Sequence, residues 1–98
     1  MSELGVMVLK LGSLFTGIIE IYIWVVIIAA LLSFVNPDPY NPIVQFLHRV
    51  TNPAYSFVRR FIKTNFNGID LAPLVIIIGL QVVVIFLSYI FSVIASLL

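Results

Sequence analysis

The last 28 residues, Leu71–Leu98, contain no Asp, Glu, Lys, Arg or His. About 20 helical residues cross the hydrocarbon core of a bilayer. As a helix this stretch would run about 42 Å, past a core of about 30 Å, so it tilts or its ends emerge. Asp70 stands where it can cap the helix, and Pro73 falls in the first turn, where proline is tolerated.

A second stretch has the same character. Between Lys10 and Asp38 the sole charge is Glu20, and residues 11–35 hold fifteen Leu, Ile, Val or Phe. Together these favour insertion by about 7 kcal/mol, against about 3 kcal/mol for one central charge. The stretch is too long for a signal-peptide core and lacks a convincing small-residue cleavage site. Across all 98 residues, 62% are apolar and 9% charged. A soluble domain carries about 25% charged residues, so a soluble enzyme, a nucleic-acid-binding domain and a disordered chain are excluded as classes. There is no cysteine, which removes disulfides, thiolate metal sites and thioether haem attachment.

Two spans predict an all-α membrane protein: a two-span transmembrane helical hairpin formed by one unit, 1–98, with spans 11–35 and 71–98 joined by a loop, 36–70. Four of the five bases, Arg49, Arg59, Arg60 and Lys63, lie in that loop. The positive-inside rule places it in the cytoplasm and both termini outside, periplasmic in a Gram-negative cell.

Asn36-Pro37-Asp38-Pro39 ends the first span. An eleven-residue repeat follows, Asn41–Thr51 and then Asn52–Ile62, in which Asn, Pro, Phe and Arg recur in place. Each copy opens with Asn-Pro, an N-cap followed by proline at the first helical position. Ile43, Val44, Phe46, Leu47 and Val50 share one face, opposite Gln45, His48 and Arg49. In the second copy Tyr55, Phe57, Val58, Phe61 and Ile62 oppose Ser56, Arg59, Arg60 and Lys63. The expectation is two short amphipathic interfacial helices with a bend at Pro53. Their basic faces, His48, Arg49, Arg59, Arg60 and Lys63, are candidate contacts for anionic lipid head groups or a protein partner. A plainer alternative has the apolar faces packing on the span ends while the bases only fix topology.

The residues Phe34–Leu47, then Thr51-Asn52-Pro53, Arg59-Arg60 and Gly68-Ile69-Asp70-Leu71-Ala72-Pro73, resemble the YggT family, also called YlmG. The likeness is strong over residues 33–75 and extends to the flanking spans by architecture. Asn52, Ser56 and Lys63 depart from it, standing where the family often has glutamate, proline and proline. The resemblance implies a small bacterial inner-membrane protein. Bacterial members are linked to cell division and envelope or osmotic stress, chloroplast members to nucleoid distribution and haem attachment in cytochrome b assembly. Some relatives carry two copies of the hairpin, so a single copy here implies association of identical chains.

Glu20 falls near mid-membrane, where an acid faces protein or water. Protonated, it would bond to a neighbouring helix; ionised, it could serve a proton or cation relay. Counting antiparallel from the loop sets Glu20 level with Phe86, close to Ser88 and Tyr89. Ser13, Thr16, Gly17 and Glu20 line one face of the first span, with Ser13 and Gly17 in small-x-x-x-small spacing; Gln81, Ser88 and Ser92 line a face of the second. These are the candidate intramembrane polar and oligomerisation residues. His48, the single histidine, has no second ligand to make a metal or haem site, and no catalytic constellation or phosphate loop is present. No cofactor and no specific nucleic-acid contact is expected. The function read from the sequence is a non-enzymatic membrane organiser or assembly factor. The alternative is an oligomeric ion or solute pathway lined by Glu20, Gln81, Ser88 and Ser92.

Overall fold

A computed structural model describes residues 2–35 and 38–98. Among them are three helices, α1 (Glu3–Phe34), α2 (Pro42–Phe61) and α3 (Ala72–Leu97), and two short strands, β1 (Asn65–Phe66) and β2 (Ile69–Asp70). The protein is mostly helical, with two helices long and apolar enough to span a membrane, α1 and α3. Of their most apolar stretches only 17% and 6% is buried, so neither is the core helix of a soluble domain. Large side chains such as Leu14, Ile18, Trp24, Ile85 and Phe86 are more than half exposed around them. In water that surface would be strongly unfavourable at about 25 cal/mol per Å²; in lipid it is not.

α1 begins eight residues before the apolar stretch that predicts it. Ser2 is the reason: its hydroxyl accepts from Gly5 N–H at 3.1 Å and its carbonyl from Val6 N–H at 3.0 Å. Glu3 in the first turn complements the helix dipole. The helix stops at Phe34, and the break assigned to Asn36-Pro37 lies outside the described residues. Beyond it, Asp38 Oδ1 accepts from Tyr40 N–H at 3.0 Å and turns the chain toward α2.

α2 corrects the sequence expectation of two short helices. Asn41 caps it as anticipated, accepting from Ile43 N–H at 2.9 Å, with Pro42 at the first position. At Pro53, however, the helix runs on to Phe61. An internal proline costs about 3 kcal/mol through its missing donor and ring clash. Breaking there would create two new helix ends with unsatisfied backbone groups. It would also interrupt an apolar stripe that an eleven-residue period keeps in phase along a continuous helix. Burying Val44 and Leu47 contributes on the order of 3–6 kcal/mol, enough to offset the proline. Just before it, the fully buried Thr51 donates its hydroxyl to Leu47 C=O at 2.8 Å.

β1 and β2 pair antiparallel, Asn65 with Asp70 and Phe66 with Ile69. The turn is Asn67-Gly68, both at positive φ (52° and 81°), the backbone that a two-residue hairpin needs. Leu71 N–H donates to Thr64 C=O at 2.8 Å and closes the turn into α3.

The chain divides into two compact units, one made of residues 1–22 with 80–98, the other of 23–79. In the first, the Phe15 and Phe91 rings stack with centroids 6.0 Å apart. The second carries the buried residues Ile23, Val26, Ala29, Val44, Leu47, Thr51, Thr64, Ala72 and Ile76.

Candidate membrane-interface site

Around α2, at 100° per residue, the side chains fall into four arcs. Val44, Leu47 and Thr51 form the buried arc, with Ala54, Tyr55 and Val58 half-buried beside it. About 100° further round, Ile43, Phe46, Phe57 and Phe61 form an apolar ridge that is 57–71% exposed. The Phe57 and Phe61 rings meet edge to face at 5.1 Å. Arg49 and Arg60, both exposed, flank the outer edge of the ridge. His48 and Arg59 flank the opposite side, next to the buried arc, and Gln45, Asn52 and Ser56 complete the polar surface. The apolar face of α2 is therefore divided: one half is covered within the protein, and the other is bare apart from the half-buried Val50.

Arg59 does not simply project into solvent. Its guanidinium pairs with the Asp70 carboxylate and lies 5.6 Å above the Tyr55 ring. The other Asp70 oxygen accepts from Thr64 Oγ1 at 2.9 Å and from Ala72 N–H at 3.0 Å. One carboxylate thus caps α3 and holds the end of α2. Partial burial pushes the Asp70 pKa up, but the Ala72 amide, the Arg59 and Thr64 hydrogen bonds and the Arg59 charge outweigh it and hold the carboxyl below its ordinary value. A groove of about 360 Å³ beside this pair is lined by Arg59, Ile62, Lys63, Thr64, Asn65 and Asp70. Sequence reasoning placed Asp70 only as a cap and passed over Thr64. The Asn67-Gly68 turn that returns Asp70 to Arg59 was the available signal.

In the other unit, Ser13, Thr16 and Ser88 come together with Leu9, Gly12 and Phe91 around a groove of about 110 Å³. Glu20, Gln81 and Ser92 do not line it. Thr16 donates its hydroxyl to Ser13 C=O at 3.2 Å, within its own helix. The glycine that permits close approach here is Gly12, where a Cβ would lie 2.7 Å from Phe91 Cγ; Gly17 has open space around it. Gly12 and Thr16 have the same small-x-x-x-small spacing as Ser13 and Gly17, so the spacing alone did not choose between the two faces.

Two apolar helices of spanning length, carrying bare apolar surface and joined through a basic amphipathic helix, define a small membrane protein. The CCB3/YggT family matches residues 8–91, and the chain belongs to that family. An uncharacterized protein of Pseudomonas aeruginosa is 42% identical over 62 residues, covering 63% of this chain and 31% of that protein. An uncharacterized protein from the proC 3′ region of Vibrio alginolyticus is 41% identical over 58 residues, 59% of this chain and 30% of the relative. The chain thus spans less than a third of these curated relatives, which are about twice as long. No solved structure matches it.

Proposed function

We propose that this protein is a non-enzymatic membrane organiser or assembly factor that works through α2, engaging the anionic head groups of the bacterial inner membrane. The observation that carries this reading is the exposed basic set His48, Arg49, Arg60 and Lys63 on the segment between two spanning helices. Arg59, tied to Asp70, orients the end of that helix. α1 and α3 form a hairpin with residues 36–70 cytoplasmic and both termini periplasmic. A division or assembly protein is the further partner of the same surface. Identical chains associate through the face of Ser13, Thr16, Gly17 and Glu20, where Gly17 has open space around it; relatives about twice this length leave room for a second such unit in one polypeptide.

Each base near an anionic leaflet contributes about 1 kcal/mol. The test reconstitutes the full chain with spin-labelled phosphatidylglycerol or phosphatidylcholine and reads the immobilised lipid fraction. The native protein should favour phosphatidylglycerol, and replacing Arg49, Arg60 and Lys63 with glutamine should weaken that preference by up to about 3 kcal/mol at low salt. Equal retention of the two lipids by the native chain would refute the reading. A second reading, an ion or solute pathway, draws on the hydroxyl-lined groove of Ser13, Thr16 and Ser88. Flux through vesicles holding the pure protein tests it.

A further inference from the structure

We infer that the ridge of Ile43, Phe46, Phe57 and Phe61 is a lipid-insertion edge, seated at the boundary between head groups and acyl chains, with Arg49 and Arg60 reaching up from it to the phosphates. The inference rests on the reading of α2 as a lipid-contacting helix and adds which side of it enters the membrane.

Three observations carry it. The first is the division of the apolar arc. Val44, Leu47 and Thr51 are covered by the protein, so they cannot be the inserting surface, and the exposed ridge is a separate face. Its three phenylalanines have no polar atom to lose on entering hydrocarbon. The second is charge placement. Arg49 and Arg60 lie along the edge of the ridge, on the side away from the buried arc. With the ridge turned into lipid, their stems lie along apolar surface and their guanidinium groups meet phosphate oxygens.

The third is covalent reach. Seven residues separate Phe34 from Pro42, and ten separate Phe61 from Ala72. The shorter connection spans at most about 28 Å, and both lead straight into spanning helices. α2 is therefore fastened near the membrane at its two ends. Lipid is the apolar phase within its reach whether or not a second chain is present.

The experiment places single tryptophans in the full chain after Trp24→Phe has removed the native one. Phe57→Trp and Phe46→Trp report on the ridge; Ser56→Trp, on the polar side, is the control. The protein is reconstituted in vesicles of phosphatidylglycerol and phosphatidylcholine, with lipids brominated at shallow or deep acyl positions. Both ridge reporters should be quenched at least twofold more than Ser56→Trp, and more by shallow bromines than by deep ones. Equal quenching at the ridge and control positions would overturn the inference. So would ridge reporters open to aqueous iodide, which would put the face in water. Ridge reporters reached by neither quencher would mean that a second copy covers the face. In each of these cases a retained preference for phosphatidylglycerol would leave the proposed function standing.

Discussion

Arg59 and Asp70 are ion-paired across eleven residues of chain, and through them the last turn of α2 is joined to the first turn of α3. The pair lies on the side of α2 next to the buried arc, so it acts in the same sense as the packing that covers Val44, Leu47 and Thr51.

Acid should loosen that joint. Asp70 has an ordinary pKa of 3.8 and is held lower in the folded protein. A carboxyl with a depressed folded pKa contributes stability that is present above the ordinary value and lost as pH falls through the folded one. Thermal stability in mild detergent should therefore decline below about pH 4. Asp70→Asn, which keeps a capping oxygen but no charge, should lower stability at pH 7 and flatten the acid decline. An unchanged acid profile in that variant would show that other groups set it.

The two glycines of α1 should behave oppositely. A methyl at Gly12 meets Phe91 Cγ at 2.7 Å and Cβ at 2.9 Å, atoms near the α3 backbone that cannot simply swing away. Gly12→Ala should cost about 1–3 kcal/mol in detergent unfolding. Gly17→Leu enters open space, so it should leave the monomer's stability intact while weakening self-association. Mass measurement in mild detergent across a concentration series reads the second effect. A monomer at every concentration in the native protein would end the association proposal.

Pro53 stands in a helix that runs straight through it. Pro53→Ala restores a backbone donor there without disturbing the stripe of Val44, Leu47 and Thr51. It should stabilise the protein by about 1–3 kcal/mol. A loss of stability would mean that the helix needs the proline's local geometry.

Topology can be read by labelling. Ser56→Cys sits on the exposed polar side of α2, and Ser2→Cys lies at the start of α1. A membrane-impermeant thiol reagent added to intact spheroplasts should label Ser2→Cys and spare Ser56→Cys until the cells are opened. The reverse pattern would put the basic helix outside and remove its access to the cytoplasmic leaflet.

The spans were legible because long charge-free runs leave a chain few alternatives, and the cap at Asn41 because its chemistry is local. Pro53 misled for the same reason. The rule against internal proline is local, whereas the burial of Val44 and Leu47 that overrides it is tertiary. The Asn67-Gly68 turn was written in the sequence, but two-residue strands are too short to show alternation. The joining of Arg59 to Asp70, and of Ser13 and Thr16 to Ser88, depends on how distant segments approach, which residue spacing does not encode. The division of the α2 apolar arc is of this kind as well: the wheel shows one broad face, and only packing splits it.

The short connections at either end of α2 change what affinity means for this helix. A free peptide must reach a membrane from bulk solution and forfeits translational freedom on arrival. A helix held on two short leashes faces its surface at an effective concentration in the millimolar range. A grip far too weak to recruit such a peptide is enough to keep α2 down. Its side chains are then at liberty to be chosen for which lipid they favour rather than for how firmly they hold.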